Sequence, residues 1–133
     1  MLLIVAGFLL LTAACILLVS RANIGRRVLI QVTDEDRLSM VLANAIVTSR
    51  SMPGLELTVI VCGPGIVALR RNAPMRGEID NALRQGIRII ACEDSMHGMQ
   101  LGRKDMHPGL DYVLYALAEI ITRQLRGWVY IRS

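Results

Sequence analysis

Aromatic side chains are scarce in this sequence: one phenylalanine, one tryptophan and three tyrosines among 133 residues. Lysine is scarcer still, with Lys104 alone beside fourteen arginines. A surface that binds nucleic acid clusters its cations and adds aromatics for stacking. Here the arginines are scattered among acids and the net charge is only +4. An arginine-rich solvated surface is therefore the expectation, and no nucleic-acid partner. Cysteine is limited to Cys15, Cys62 and Cys92, an odd count with no close pair. That does not make a disulfide framework, and without C-x-x-C there is no thioredoxin-type redox pair. A G-x-S-x-G elbow, a P-loop and a dinucleotide fingerprint are also missing. Charge is absent altogether from residues 1–20.

That last absence defines the amino-terminal segment. Met1 to Val19 reads MLLIVAGFLLLTAACILLV, apolar on every helical face. As a helix it spans about 28 Å, close to a hydrocarbon thickness of about 30 Å. Residues 1–20 are thus expected to form a transmembrane anchor. Residues 21–27, with Arg21, Arg26 and Arg27, form a basic juxtamembrane linker able to meet anionic lipid. The positive-inside rule places these arginines, and the domain after them, on the cytoplasmic side. Two rival readings stand behind this one. Ser20-Arg21-Ala22 has small residues suited to signal cleavage near Ala22, which would export the domain, although a basic n-region is missing. Leu11-Thr12-Ala13-Ala14-Cys15 resembles a lipoprotein box, but apolar residues continue past Cys15.

Residues 28–133 alternate strand and helix patterns. Val28 to Val32 is a β-branched run. Thr33-x-x-Asp36 resembles a capping box. A helix to about Arg50 follows, with Leu38, Val41, Leu42, Ala45 and Ile46 at helical spacing. Leu55 to Val61 is a second strand, apolar enough for burial on both faces. A short helix over Ile66 to Arg71 and another over Glu78 to Gln85 lead to a third strand, Ile87 to Ala91. Glu93 to Gly109 reads as polar loop. Leu110, Val113, Leu114, Leu117 and Ile121 predict the longest helix of the domain, running to about Arg126, and Trp128 to Ile131 is a last strand. Such alternation predicts an α/β fold with a mainly parallel sheet and right-handed crossovers, behind one hydrophobic helix.

Chemistry is expected at the carboxyl ends of the strands, where open α/β sheets bind ligands. Cys62 and Cys92 each end a predicted strand. If the strands are neighbours, both thiols share one edge. Free cysteines are mostly small buried residues, so each is either core filling or a nucleophile facing a crevice. Glu93 and Asp94 oppose an anionic sulfur at Cys92; Arg103, Lys104 and His97 can offset them. The candidate crevice is Cys62, Gly63, Gly65, Asp94 and His97, with Cys92 as the catalytic candidate and His97 as a proton-transfer assistant. Gly63-Pro64-Gly65 before a helix can present N–H groups to an anion, or be simply a turn. His97 and His107 are also possible proton carriers or ligands. No metal site is expected, because the spacing of Cys92, His97 and His107 matches no standard zinc pattern. Asp94-Ser95-x-His97 holds triad residue types without implying triad geometry.

The ordered set of these pieces resembles the DsrE/DsrF-like family of small sulfur-relay proteins, which includes TusD-type subunits. The resemblance runs over about residues 28–133. It rests on the opening strand and helix, on Val59-Ile60-Val61-Cys62-Gly63-Pro64-Gly65-Ile66, and on Leu83-x-x-Gly86-Ile87-x-Ile89-x-Ala91-Cys92. Asp105-Met106-His107-Pro108-Gly109 and Gly127-Trp128-Val129-Tyr130-Ile131 complete it. It implies a three-layer α/β sandwich, homo-oligomers such as trimers or hexamers, and no cofactor. It also implies a cysteine at the position of Cys92 that accepts sulfur as a persulfide and relays it between a donor and an acceptor protein. Two functional expectations follow: a membrane-anchored sulfur carrier using Cys92, or a non-catalytic oligomeric binding module tethered to the membrane. A hydrolase using Ser95 and His97 has little support.

Overall fold

The computed structural model describes the backbone of residues 1–23 and 26–133, and the side chains of residues 1–18 and 26–133. An apolar helix, α1 (Leu2–Asn23), opens the chain. Its large apolar side chains from Leu2 to Leu18 are all exposed, as expected for a segment with no polar face to turn outward. Among the described residues no helix is long and apolar enough to cross a membrane. The transmembrane anchor expected over residues 1–20 is thus not found among the described residues. Residues 21–23 continue the helix and Arg27 opens a strand; residues 24 and 25 of the expected linker lie outside the described residues. The side chains of Ser20, Arg21 and Ala22, on which the cleavage reading rests, lie outside the described residues.

Five strands make one all-parallel sheet in the order β4-β3-β2-β1-β5. They are β1 (Arg27–Val32), β2 (Glu56–Val61), β3 (Arg88–Cys92), β4 (Asp111–Val113) and β5 (Val129–Arg132). The central strands are apolar on alternate and intervening positions alike because both faces are covered. On one face Val59, Val61, Ile89 and Ala91 pack under α2 (Glu35–Ser51) and α3 (Arg76–Arg84). On the other, Leu29, Ile60, Ile90 and Cys92 pack under α5 (Ala116–Leu125) through Ala116 and Ile120. The domain is therefore a three-layer α/β sandwich, with a lone long helix on its second face. Arg123 seats that helix. It pairs with Glu119 at 2.6 Å, reaches Thr58 Oγ1 at 3.4 Å and lies 4.3 Å over the Trp128 ring.

Leu38, Val41, Leu42, Ala45 and Ile46 of α2 are all buried, as their spacing requires. The capping box at Thr33-x-x-Asp36 does not form: Asp34 is the N-cap and makes no side-chain cap bond. Ile66 to Arg71 is not an α-helix but the end of a tighter 3₁₀ segment, Gly63–Leu69. The polar stretch after Cys92 holds a short helix, α4 (Glu93–Gly98), that was expected to be loop. The helix expected from Leu110 starts only at Ala116, because Asp111–Val113 pairs with Ile90, Ala91 and Cys92 as β4. Leu110, Val113 and Leu114 fall at helical intervals by coincidence, and edge pairing to β3 decides their state. The longest helix of the domain is consequently α2, with 17 residues.

The turn after β2 passes very close to the end of β1. Gly65 N–H donates to Thr33 O at 2.7 Å. A Cβ at Gly65 would sit 2.9 Å from that oxygen and 3.0 Å from its carbon, both rigid backbone. Gly65→Ala is expected to lower the stability of the domain by about 1–3 kcal/mol and to disturb the Cys62–Gly63 turn. Urea unfolding, with the amide spectrum of residues 61–66 as the local readout, checks this.

Candidate functional site

The register between β2 and β3 runs from Thr58 opposite Arg88 to Val61 opposite Ala91. The next residues along the chain are Cys62 and Cys92, respectively. Ile60 and Ile90 point toward α5, and side chains two residues on share their face. Both cysteines pack in the cluster on that face. The two thiols thus lie at adjacent strand ends on one carboxyl edge, as the sequence pattern anticipated.

Their surroundings differ. Cys92 is 3% exposed, and its Sγ lies 3.7 Å from Leu114 O, just past β4. Cys62 is half-buried. The Gln31 side-chain amide donates to its Sγ at 3.3 Å, and the Tyr130 hydroxyl donates to Gln31 Oε1. A polar row therefore crosses β5, β1 and β2 and ends on sulfur. Sequence reading missed Gln31 and Tyr130. The one available signal was Gln31 itself, an amide interrupting the apolar run of β1.

The glycines of the turn are occupied. Gly63 N–H donates to Ser95 Oγ at 2.8 Å, and Gly65 N–H is spent on Thr33. These contacts tie the end of β2 to α4 and β1, so the turn is a structural clamp and those N–H groups do not face an anion. Ser95 is likewise engaged as an acceptor, away from any triad geometry. Asp94 and His97 are exposed on α4, and among the described residues no hydrogen bond joins His97 to Cys92. His107 is buried: Nε2–H donates to Asp80 Oδ1 at 2.6 Å and Nδ1 accepts Gly109 N–H at 3.0 Å. Both ring nitrogens are used, and the residue pins the 106–109 loop to α3. Among the described residues no three His, Cys, Asp or Glu side chains are grouped to hold a metal ion.

The acidic character of the loop is partly cancelled. Arg103 forms an ion pair with Glu93, and its guanidinium lies 4.4 Å over the Tyr112 ring. Partial burial raises the Tyr112 pKa above its usual 10.0; Arg103 and Arg71 pull it down, and Glu93 adds to the rise.

Solved structures share this fold. A protein of unknown function, MTH1491 from Methanobacterium thermoautotrophicum, aligns with a TM-score of 0.76 and 27% identity, over 80% of this chain and 98% of its own. The conserved protein of unknown function BT1422 from Bacteroides thetaiotaomicron gives 0.68 at 17% identity, over 80% and 94%. The ychN protein from E. coli gives 0.69 at 13% identity, over 80% and 98%. The fold is DsrE/DsrF-like. No family model matches the chain, and no curated protein matches it.

A raised phenol pKa means that folding favours the protonated form. The stability it supplies is full below the unfolded value near 10.0 and is lost as pH rises through the higher folded value. Tyr112→Phe is expected to lose less stability than the wild type between about pH 9 and about pH 11.5, as read by urea midpoints at the two pH values.

Proposed function

We propose that this chain is a membrane-tethered DsrE-like sulfur carrier in which Cys92 holds sulfane sulfur as a persulfide. The observation that carries the reading is the position of Cys92, at the carboxyl end of β3 with a second thiol at the adjacent strand end. Sulfur would arrive by thiol exchange: a thiolate attacks the outer sulfur of a donor persulfide, one S–S bond forms as another breaks, and the donor leaves as thiolate. Nothing is oxidised or reduced overall. Discharge to an acceptor-protein thiol is the same step in reverse roles. Arg103 supports this chemistry by pairing with Glu93, which offsets the negative charge of the residue that follows Cys92.

The tether rests on α1, whose exposed apolar side chains need either a bilayer or a protein partner. Arg21 near its end and Arg26 and Arg27 beyond it support a cytoplasmic position for the domain. A homo-oligomer, trimer or hexamer, is supported by apolar surface the monomer leaves open. Leu117, Ile121 and Leu125 are exposed on α5, and a groove of about 650 Å³ lies between α2 and β5, lined by Met40, Ala45, Val129 and Ile131.

A second reading is favoured by one observation, the 3% exposure of Cys92. A sulfur so enclosed suits a non-catalytic binding module equally well. Peptide mass of the full chain in detergent micelles, after incubation with glutathione persulfide, separates the two. One sulfur atom gained on the Cys92 peptide, and lost in Cys92→Ser, is the expected result. A folded, reduced protein that gains none is the binding module.

Deleting residues 1–20 is expected to move the protein from the membrane pellet to the supernatant. A truncated domain that still sediments with membranes refutes the tether.

A further inference from the structure

Resting on the sulfur-carrier reading, we infer that Cys62 is the port of the site: sulfane sulfur enters on Cys62 and passes to Cys92 inside the same chain. Three observations converge. First, a donor protein cannot readily present its persulfide to a sulfur that is 3% exposed beneath the Ala116 end of α5, whereas Cys62 is only partly buried at the same edge. Second, the two residues directly follow the last paired positions of the register, Val61 and Ala91, and pack in one cluster. Neighbouring strands lie about 4.8 Å apart, and residues whose Cα atoms are about 4.4–6.8 Å apart can join their sulfurs directly. The Gly63 N–H to Ser95 Oγ bond of 2.8 Å holds the two strand ends together just beyond the thiols. Third, Cys62 alone of the two receives a side-chain N–H. The Gln31 amide is aimed at its sulfur at 3.3 Å, and Tyr130 fixes the amide by donating to its oxygen. A preorganised donor at a sulfur stabilises the negative charge that develops there when it is attacked or displaced.

The sequence of steps balances without an outside oxidant or reductant. Cys62 thiolate attacks the outer sulfur of the donor persulfide; a Cys62 S–S bond forms, the donor S–S bond breaks, and the donor departs as thiolate. Cys92 thiolate then attacks the outer sulfur now on Cys62. The new S–S bond is on Cys92, and Cys62 is released as thiolate, ready for another exchange. Attack on the inner sulfur of the Cys62 persulfide would instead give a Cys62–Cys92 disulfide and hydrosulfide. That outcome ends the relay and leaves its own mass signature. Gln31 is on this view a positioning residue for the departing Cys62 sulfur.

The test is time-resolved peptide mass on the full chain in detergent micelles with glutathione persulfide, for the wild type, Cys62→Ala, Cys92→Ser and Gln31→Met. Sulfur is expected on the Cys62 peptide before the Cys92 peptide in the wild type. It should stay on Cys62 in Cys92→Ser, and Cys62→Ala should load Cys92 at least tenfold more slowly. Gln31→Met, with both thiols intact, should slow transfer from Cys62 to Cys92 while its far-ultraviolet spectrum and unfolding midpoint stay near the wild type; unchanged transfer removes Gln31 from the mechanism. Iodoacetamide on the unmodified native protein should label Cys62 well before Cys92, a measurement that needs no variant to fold. Cys62→Ala loading Cys92 at the wild-type rate overturns the port and leaves the carrier reading standing. A Cys62–Cys92 disulfide as the main product overturns the relay. A wild type that takes sulfur on neither residue overturns the carrier reading and the port together.

Discussion

The site depends on one constraint, the parallel register of β2 against β3. Ile60 and Ile90 are both essentially inaccessible on the α5 face, while Val59, Val61, Ile89 and Ala91 are sealed on the other. A slip of one residue between these strands would turn each of those side chains to the opposite layer. The register is therefore fixed by burial on both faces at once, and the two cysteines inherit their juxtaposition from it. Neither thiol needs a dedicated scaffold. Their meeting is a by-product of how the hydrophobic core is counted along two strands.

What the sequence made legible follows from the same physics. Central strands and α2 were readable because their apolar positions repeat with the period of the element they form, and tertiary packing agrees with local preference. The first failure came at the sheet margin. Leu110, Val113, Leu114 and Leu117 carry a helical spacing, yet three residues there pair with β3, and nothing local signals a strand so short. The second came at Cys92, where the segment of acids, serine and histidine looks like loop but closes one helical turn and a half as α4. Cys62 and Cys92 were identifiable as strand ends. Their unequal burial was not, since it depends on where the Ala116 end of α5 and the Leu114 carbonyl come to rest. Gln31 and Tyr130 lie 99 positions apart, a separation at which a single sequence carries no pairing signal.

Coverage of the sheet is uneven, and that asymmetry shapes the chemistry. α2, α3, the short α4 and a 3₁₀ segment cover one face, whose buried cluster is apolar. One helix of 10 residues covers the other. The uncovered remainder of that face is where a glutamine, a tyrosine and a partly buried thiol can coexist without orphaned polar atoms; indeed no described buried side-chain nitrogen or oxygen lacks a partner.

β5 has a further consequence. It is the margin of the sheet, held by β1 alone on one side and open along the other, and an edge strand is the natural landing place for another polypeptide. Its Tyr130 nevertheless dictates which way the Gln31 amide faces. A molecule that docked along that margin and drew the tyrosine aside would release the amide to rotate, and the sulfur two strands inward would lose its donor. Information could pass from the rim of the domain to its thiol through two hydrogen bonds, with the packed layers beneath undisturbed.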